Sequence, residues 1–409
     1  MKAQIAVVGG GISAATGAWL LAEQDHQVTL FEQAPKCGPV GAGIMLQPSG
    51  QRLLDRSGLL NEVLANSARI DALHAQHRMG RELVHLDYGK LNGELFGLGV
   101  LRGSLFTLLF NRCVKSGVEI QAGCMGSGSI QTSAAVSLIQ PSGKVAGQFN
   151  IVVVADGSRS QLRRVSGLTR RVTEYKEAAL WLTGPCHSEA NRLLQMVDTT
   201  GRLVEILPVG NNRSSFFWGL TPEGKQRVWN NGMDAWKQQV MAFHWASEEI
   251  LSDIHSFDDI TFATYRNVRM KSVVDRRVVF VGDAAHATSP HLGQGANLAL
   301  ADAVCLADQL AKHNDYAAAF VSYRDTRRAT TRYYSQLTGI LAPVFQTQSR
   351  VQQFGRNLAL PIMPKLPFVG KQMALTMAGL KSGWFRFCDD QDRADEKALV
   401  ASVALEKVE

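Results

Sequence analysis

Two glycine-rich clusters hold the residues best suited to chemistry, and each pairs a carboxylate with a turn that opens a helix. In the first, Gly9-x-Gly11-x-x-Ala14 follows the apolar run Ile5-Ala6-Val7-Val8 and precedes a helix expected over 12–23. The first glycine of such a turn permits the tight bend, the second lets a pyrophosphate approach the backbone, and the third small residue allows close helix–strand packing. The helix N-terminus adds free N–H groups and a partial positive charge. Glu32 stands 18 residues after Ala14, at the end of a second strand, where a carboxylate can accept bonds from a ribose diol. The second cluster is Gly282-Asp283-Ala284-Ala285-His286-Ala287-Thr288-Ser289-Pro290-His291-Leu292-Gly293-Gln294-Gly295-Ala296-Asn297. Here a strand ends at an acid and a glycine-rich turn opens another helix near Ala296. That geometry sets a carboxylate against one part of a ligand and helix-terminal N–H groups against another. The chemistry both clusters suit is nucleotide binding.

Positioning these groups requires a sheet. Strands over 5–8 and 27–31 flank the first helix, a β-α-β unit of about 30 residues of the kind that builds parallel, doubly wound sheets. Two further buried strands are expected over 149–155, running into Asp156-Gly157, and over 277–281, running into Gly282-Asp283. Three strand-to-turn sites far apart in sequence then meet at one sheet edge. Residues 179–266 differ: they hold five of the seven tryptophans (Trp181, Trp218, Trp229, Trp236, Trp245) and β-rich pieces at 203–207 and 215–218. This region reads as an inserted, largely antiparallel sheet with a helix, its tryptophans core rather than pocket lining. One long helical stretch is expected from Asp302 to about Leu341. Residues 341–387 carry six basic side chains (Arg350, Arg356, Lys365, Lys371, Lys381, Arg386) and no acid, whereas the last 21 residues carry seven acids and three bases. Pro361, Pro364 and Pro367 forbid one continuous amphipathic helix there. Packing of this segment on the protein is expected in preference to peripheral contact with an anionic membrane.

Composition narrows the class. A chain of 409 residues suits two domains, and 45% hydrophobic with 19% charged residues excludes disorder. The net charge of +7 is too modest for a nucleic-acid partner and equally suits a protein that holds phosphate groups. Six dispersed cysteines, none in C-x-x-C or zinc-finger spacing, fit a reducing compartment and no metal site. His74 and His77 lack Cys or carboxylate partners at useful spacing and are expected at the surface. With no signal-peptide pattern and no run of about 20 apolar residues, a soluble cytoplasmic protein is expected.

On these motifs the chain resembles the group A flavin-dependent monooxygenases, the p-hydroxybenzoate hydroxylase-like aromatic hydroxylases. The family's three FAD/NAD(P)H motifs stand in order at Gly9, Asp156-Gly157 and Gly282-Asp283. Val40-Gly41-Ala42-Gly43-Ile44, Leu101-Arg102-Gly103-Ser104-Leu105 and Ala155-Asp156-Gly157-Ser158-Arg159-Ser160 look like further family blocks. The match covers the cofactor domain well and the middle of the chain hardly at all. The resulting reading is an α/β protein with a Rossmann-type FAD-binding domain over 1–72, 98–178 and 267–330. A β-rich substrate domain over 73–97 and 179–266 is inserted in it, followed by a C-terminal helical segment (331–388) and an acidic tail (389–409).

The resemblance implies that Gly9, Gly11 and Ser13 hold the FAD pyrophosphate, with Ala14 behind them, and Glu32 the adenosine ribose. Arg102 would lie near the pyrophosphate and ribityl chain, and Asp283 would bind the ribityl hydroxyls. Gly293 and Gln294 belong to the loop whose following N–H groups, at Gly295, Ala296 and Asn297, would face the pyrimidine end of the isoalloxazine. Pro290 and His291 would sit beside the flavin, Asp156 in the motif associated with both FAD and NAD(P)H, and His286 in a structural role. No catalytic side chain is assigned. Two positions depart from the family: Ala14 replaces a third glycine, and Ser289 replaces a proline common before Pro290, which is expected to loosen that loop. The implied activity uses NADPH or NADH and O₂: reduced FAD adds oxygen at C4a, and the hydroperoxide oxidises an electron-rich aromatic or heteroaromatic small molecule. Alternatives are epoxidation or hydroxylation of a lipidic or polycyclic, antibiotic-like substrate, a flavin dehydrogenase or reductase that transfers no oxygen, and a flavin-binding interaction protein. The substrate's identity, NADH against NADPH and the oligomeric state stay open at this level.

Overall fold

The computed structural model describes residues 2–38, 41–187, 191–198, 202–244, 247–345 and 349–384. Val40, Trp245, Arg386 and the tail 389–409 lie outside the described residues. A six-stranded sheet runs in the order Val274–Asp275, Val278–Phe280, Ile151–Val154, Gln4–Val8, Gln27–Glu32, Glu119–Ala122. Every pairing is parallel except that between the first two strands. Its central strands are apolar on both faces because helices and a second sheet layer cover both, which is why they read as unbroken hydrophobic runs. Val8 aligns with Val154 and Phe31, and Val154 with Phe280. The turns at Gly9, Asp156 and Gly282 therefore emerge side by side at the carboxyl edge, as their sequences require. The helix Ile12–Ala22 packs between this sheet and the helix Gly295–Lys312.

A seven-stranded sheet runs in the order Thr261–Met270, Thr169–Pro185, Arg213–Leu220, Leu203–Gly210, Arg192–Val197, Ala72–His77, Glu82–Asp87. It is antiparallel except where Arg192–Val197 meets Ala72–His77. One face is a core of Trp218, Trp236, Phe216 and Ile206 under the helices Pro222–Asn231 and Met233–Met241. The opposite face turns toward the glycine loops. Thr169–Pro185 is 17 residues long and, with its partner Thr261–Met270, runs continuously between the two halves of the molecule.

Several elements differ from their sequence reading for local reasons. The run 149–155 is divided: Val145–Phe149 belongs to a three-stranded antiparallel sheet, and Asn150 separates it from Ile151–Val154. The inserted region has two main helices rather than one, because Gly232 at φ 87° ends the first and starts the second. The long helical stretch is two helices, Gly295–Lys312 and Tyr316–Phe345. His313 is extended, and the Asp315 carboxylate accepts from Ala318 N–H at 3.0 Å to open the second.

The C-terminal segment breaks where its prolines fall. Helix Arg350–Ala359 is followed by a single 3₁₀ turn, Met363–Lys365, and then by Pro367–Met377 with proline at its first position. It packs on the seven-stranded sheet, where Leu360, Met377 and Leu380 join one core with Leu83, Leu86 and Tyr265. The basic side chains do not form one exposed patch. Lys381 and Arg356 are buried while Lys365 and Lys371 are exposed. Val351, Phe354 and Leu358 stay exposed along one side of the first helix. No helix among the described residues is long and apolar enough to cross a membrane.

Candidate functional site

A cavity of about 750 Å³ lies between the carboxyl edge of the six-stranded sheet and the inner face of the seven-stranded one. Gly11, Ser13, Arg102, Asp283, Pro290, His291, Gly293, Gly295 and Ala296 line its loop side. Leu337, Leu360, Met363, Phe368, Met373 and Met377 close its third side from the helices after Tyr316. The sequence motifs thus converge on one space, and the C-terminal segment, read from sequence only as packing on the protein, forms a wall of it.

The turns are held by close backbone contacts. Gly9 has φ +116°, and a Cβ there would lie 2.3 Å from the carbonyl oxygen of Ala155, so the first turn is pressed onto the end of the neighbouring strand. Gly282 has φ +57°, and a Cβ there would meet Ser13 Oγ at 2.7 Å, which locks the first cluster to the second. Ala14 is fully buried, as its packing role demands. Gly11 and Gly295, by contrast, would each carry a Cβ into open space. The wall at these points is bare backbone beside the N-termini of helices Ile12–Ala22 and Gly295–Lys312, a surface that suits an anionic or polar planar group.

The side chains around that strip divide into free and committed ones. The Asp283 carboxylate is accessible within the cavity yet enclosed by protein, and accepts no hydrogen bond from the described residues. Enclosure raises its pKa, opposed by His286, Arg102 and Arg163. Asp156 accepts from Gln161 N–H at 3.0 Å through Oδ2, while Oδ1 is buried without a partner among the described residues. Burial raises its pKa against the hydrogen bonds it accepts from Ser160 and nearby N–H groups. Glu32 ends its strand and accepts from Ala34 N–H at 2.8 Å. The Gln294 and Asn297 side chains are structural: Gln294 Nε2 donates to Met377 O at 2.8 Å, and Asn297 accepts from Gln47 N–H at 2.9 Å and donates to Met45 O at 3.1 Å. Ser289, at the family's proline position, is buried and bonds His291 Nδ1 at 3.0 Å, so its hydroxyl ties this loop rather than loosening it.

His286 is a member of a buried ionic triad. Asp302, fully buried, accepts from Gly282 N–H at 2.8 Å and Arg327 Nε at 2.7 Å, with His286 Nε2 at 2.5 Å. Burial opposes charge on both, but their mutual attraction prevails: Asp302 is held well below the usual carboxylate range and His286 is raised. The triad anchors the Gly282 turn to two helices. His74 and His85 lie 5.6 Å apart with their rings tilted at 40°, beside Glu82 of the edge strand. Among the described residues no cluster of three or more His, Cys, Asp or Glu is arranged to hold a metal ion.

Sequence reading missed the polar feature of the sheet wall. Across the strands, Trp181 pairs with Phe217, Phe217 with Glu205, Glu205 with Gln195, and Gln195 with Ala75. Gln195 Nε2 donates to Glu205 Oε2 at 2.8 Å, and burial pushes the Glu205 carboxyl up to about 7 against that bond. Trp181 stands edge-on to Phe217 at 4.9 Å and donates to Tyr265 OH at 3.3 Å, while Phe217 and Tyr265 stack at 6.5 Å. Trp181 is therefore pocket lining, whereas Trp218 and Trp236 are core, as expected of them. The available signal was one acid inside Leu203-Val204-Glu205-Ile206-Leu207, at a position that alternation places beside two leucines.

A double-wound cofactor sheet joined to an antiparallel sheet across one cavity defines a flavoprotein hydroxylase architecture. The family described as FAD binding domain matches residues 2–334, and the chain belongs to it. It is an FAD-dependent monooxygenase of the aromatic-hydroxylase type. A 3-amino-4-hydroxybenzoate 2-monooxygenase of Streptomyces cremeus is 31% identical over 317 residues, 74% of this chain and 77% of that one. A probable 2-heptyl-3-hydroxy-4(1H)-quinolone synthase of Rhodococcus erythropolis is 28% identical over 79% of this chain and 83% of that one. Among solved structures, Klebsiella pneumoniae HpxO complexed with FAD and uric acid shares the fold, with a TM-score of 0.77 at 18% identity over 92% of this chain and 97% of that one. Bare backbone at Gly11 and Gly295 and the accessible Asp283 carboxylate fit a bound FAD.

Proposed function

We propose that the protein uses NAD(P)H and O₂ to hydroxylate a flat aromatic or heteroaromatic small molecule in the space between the glycine loops and the seven-stranded sheet. The observation that carries this is the cavity whose one wall is side-chain-poor loop backbone and whose other wall carries the aromatic side chains of Trp181 and Tyr265. The relatives' names, an aminohydroxybenzoate monooxygenase and a probable alkylquinolone synthase, both refer to flat ring compounds. Bound FAD supplies the hydride acceptance and oxygen activation. In this reading Gly9, Gly11 and Ser13 hold the pyrophosphate, Glu32 the adenosine ribose, and Arg102 the region between pyrophosphate and ribityl chain. Asp283 takes the ribityl hydroxyls through its free carboxylate. The backbone of Gly293 to Asn297 supports the isoalloxazine, and Gln294 holds that loop in place through Met377. Pro290 and His291 face the substrate from the loop side.

The protein's work is to place the ring and keep the site dry, which the apolar C-terminal wall does by covering the cavity. That wall, rich in Leu and Met, also favours a second reading in which the ring carries an apolar extension. Purified protein should carry non-covalent FAD, and a panel of ring compounds should include some that stimulate its NAD(P)H oxidation. Oxygen-18 from O₂ should enter the product. A colourless preparation that does not take up added FAD would end the flavoprotein reading, and unlabelled product would favour a dehydrogenase.

A further inference from the structure

We propose that Glu205 and Gln195 form the polar recognition point of the substrate cavity, and that they select a ring carrying a hydrogen-bond donor (hydroxyl, amine or ring N–H) over one carrying a carboxylate. This rests on the reading that the ring binds against the sheet wall. Glu205 is the one charged side chain that the sheet contributes to the cavity lining among the described residues. Its strand lies in the middle of the seven, so the carboxylate stands at the centre of the wall rather than at its rim.

The pair is built to accept. Gln195 is buried and commits its N–H₂ to Glu205 Oε2, which fixes the amide's orientation and leaves its own oxygen as an acceptor. Above the value of about 7 to which burial raises it, the Glu205 carboxylate and the amide oxygen beside it attract donors and repel anions. Nearby groups do not reverse that sign. Tyr265 shares its hydroxyl with Trp181, and burial raises its pKa, so it contributes no charge. Lys381, on the C-terminal wall, is held by Gln372 Oε1 at 2.5 Å and Trp384 O at 2.8 Å. Arg102 lies on the loop side with Asp283. Trp181 and Tyr265, backed by the buried Phe217, set an aromatic lining beside the pair, against which one ring can pack while its donor points at Glu205.

The test uses the FAD-loaded protein at about pH 8.5, where Glu205 is ionised, and four probes of one skeleton: 2-naphthol, 2-naphthylamine, 2-methoxynaphthalene and 2-naphthoate. Dissociation constants are read from perturbation of the flavin absorbance, without turnover. In the wild type, naphthol and naphthylamine should bind on the order of tenfold tighter than the methyl ether, and naphthoate should bind weakest. Glu205→Gln should relieve the repulsion and tighten naphthoate on the order of tenfold while weakening naphthylamine. Gln195→Leu keeps the charge but frees the carboxylate's orientation, and should narrow the donor preference while leaving naphthoate weak. FAD content and melting temperature of each variant verify the fold. A wild type that does not prefer donors, or a preference unchanged in both variants, overturns the inference while leaving the monooxygenase reading intact. Loss of FAD binding by the wild type would instead overturn that reading.

Discussion

Replacing Asp302 with alanine removes three partners at once and strands a guanidinium inside the protein. Asp302 is fully buried, and the Arg327 side chain is 13% exposed. Breaking a buried ion pair from one side costs about 3–5 kcal/mol, because the remaining charge keeps its desolvation penalty and loses its attraction. The loss of the acceptor at 2.8 Å from Gly282 N–H also frees the turn that touches Ser13. Asp302→Ala should therefore lower the urea midpoint for flavin release and weaken FAD binding together. The informative variant is Asp302→Ala with Arg327→Met. The methionine leaves no buried charge and fills much of the space, so the double variant should be more stable than Asp302→Ala alone. A coupling of about 0.5–3 kcal/mol is expected for residues in direct contact. Urea titrations of the four proteins of the cycle, followed by flavin and tryptophan fluorescence, measure it. If the two substitutions simply add, the carboxylate and guanidinium are not coupled and the triad is not what holds the turn.

Three further outcomes follow from the same geometry. Raising His286 above its unfolded value makes its contribution to stability fully present below about pH 6.5 and lost as pH rises through the folded value, while the lowered Asp302 contributes above about pH 4. Thermal melts between pH 6 and pH 9 should accordingly show the advantage of wild type over His286→Gln shrinking as pH rises, and a constant difference would exclude the charged pair. Asp283→Ala should weaken FAD on the order of tenfold or more, since a bond to a charged group contributes about 1.5–3 kcal/mol, and Glu32→Ala should weaken it less; equilibrium fluorescence titration of apoprotein with FAD distinguishes them. Gly9→Ala should abolish or severely weaken FAD uptake, because a Cβ has no room against Ala155 O, and a variant that retains wild-type flavin content would contradict the packing at that turn.

The parts of this protein that its sequence determined are those whose physics is local. Gly9 and Gly282 announce turns because their positive φ and close approaches exclude other residues, and the apolar runs before them announce doubly covered strands. Three such strand–turn units sharing one sheet follow from the rules of parallel topology, so the convergence of the glycine loops on one edge was legible in the sequence. Pro361, Pro364 and Pro367 likewise predicted the breaks in the last helices, since a missing N–H and a fixed φ act on their own neighbourhood. The rest was decided by register and packing. Glu205 meets Gln195 only because two antiparallel strands align them, and a shift of one residue would turn the carboxylate into the helix-covered core. Asp302 finds Arg327 through the packing of two helices, 25 positions apart along the chain. The C-terminal segment became a wall of the cavity because its Leu and Met residues found apolar partners on a sheet built almost wholly from earlier sequence. Such contacts depend on where whole elements come to rest, which no single stretch of residues specifies.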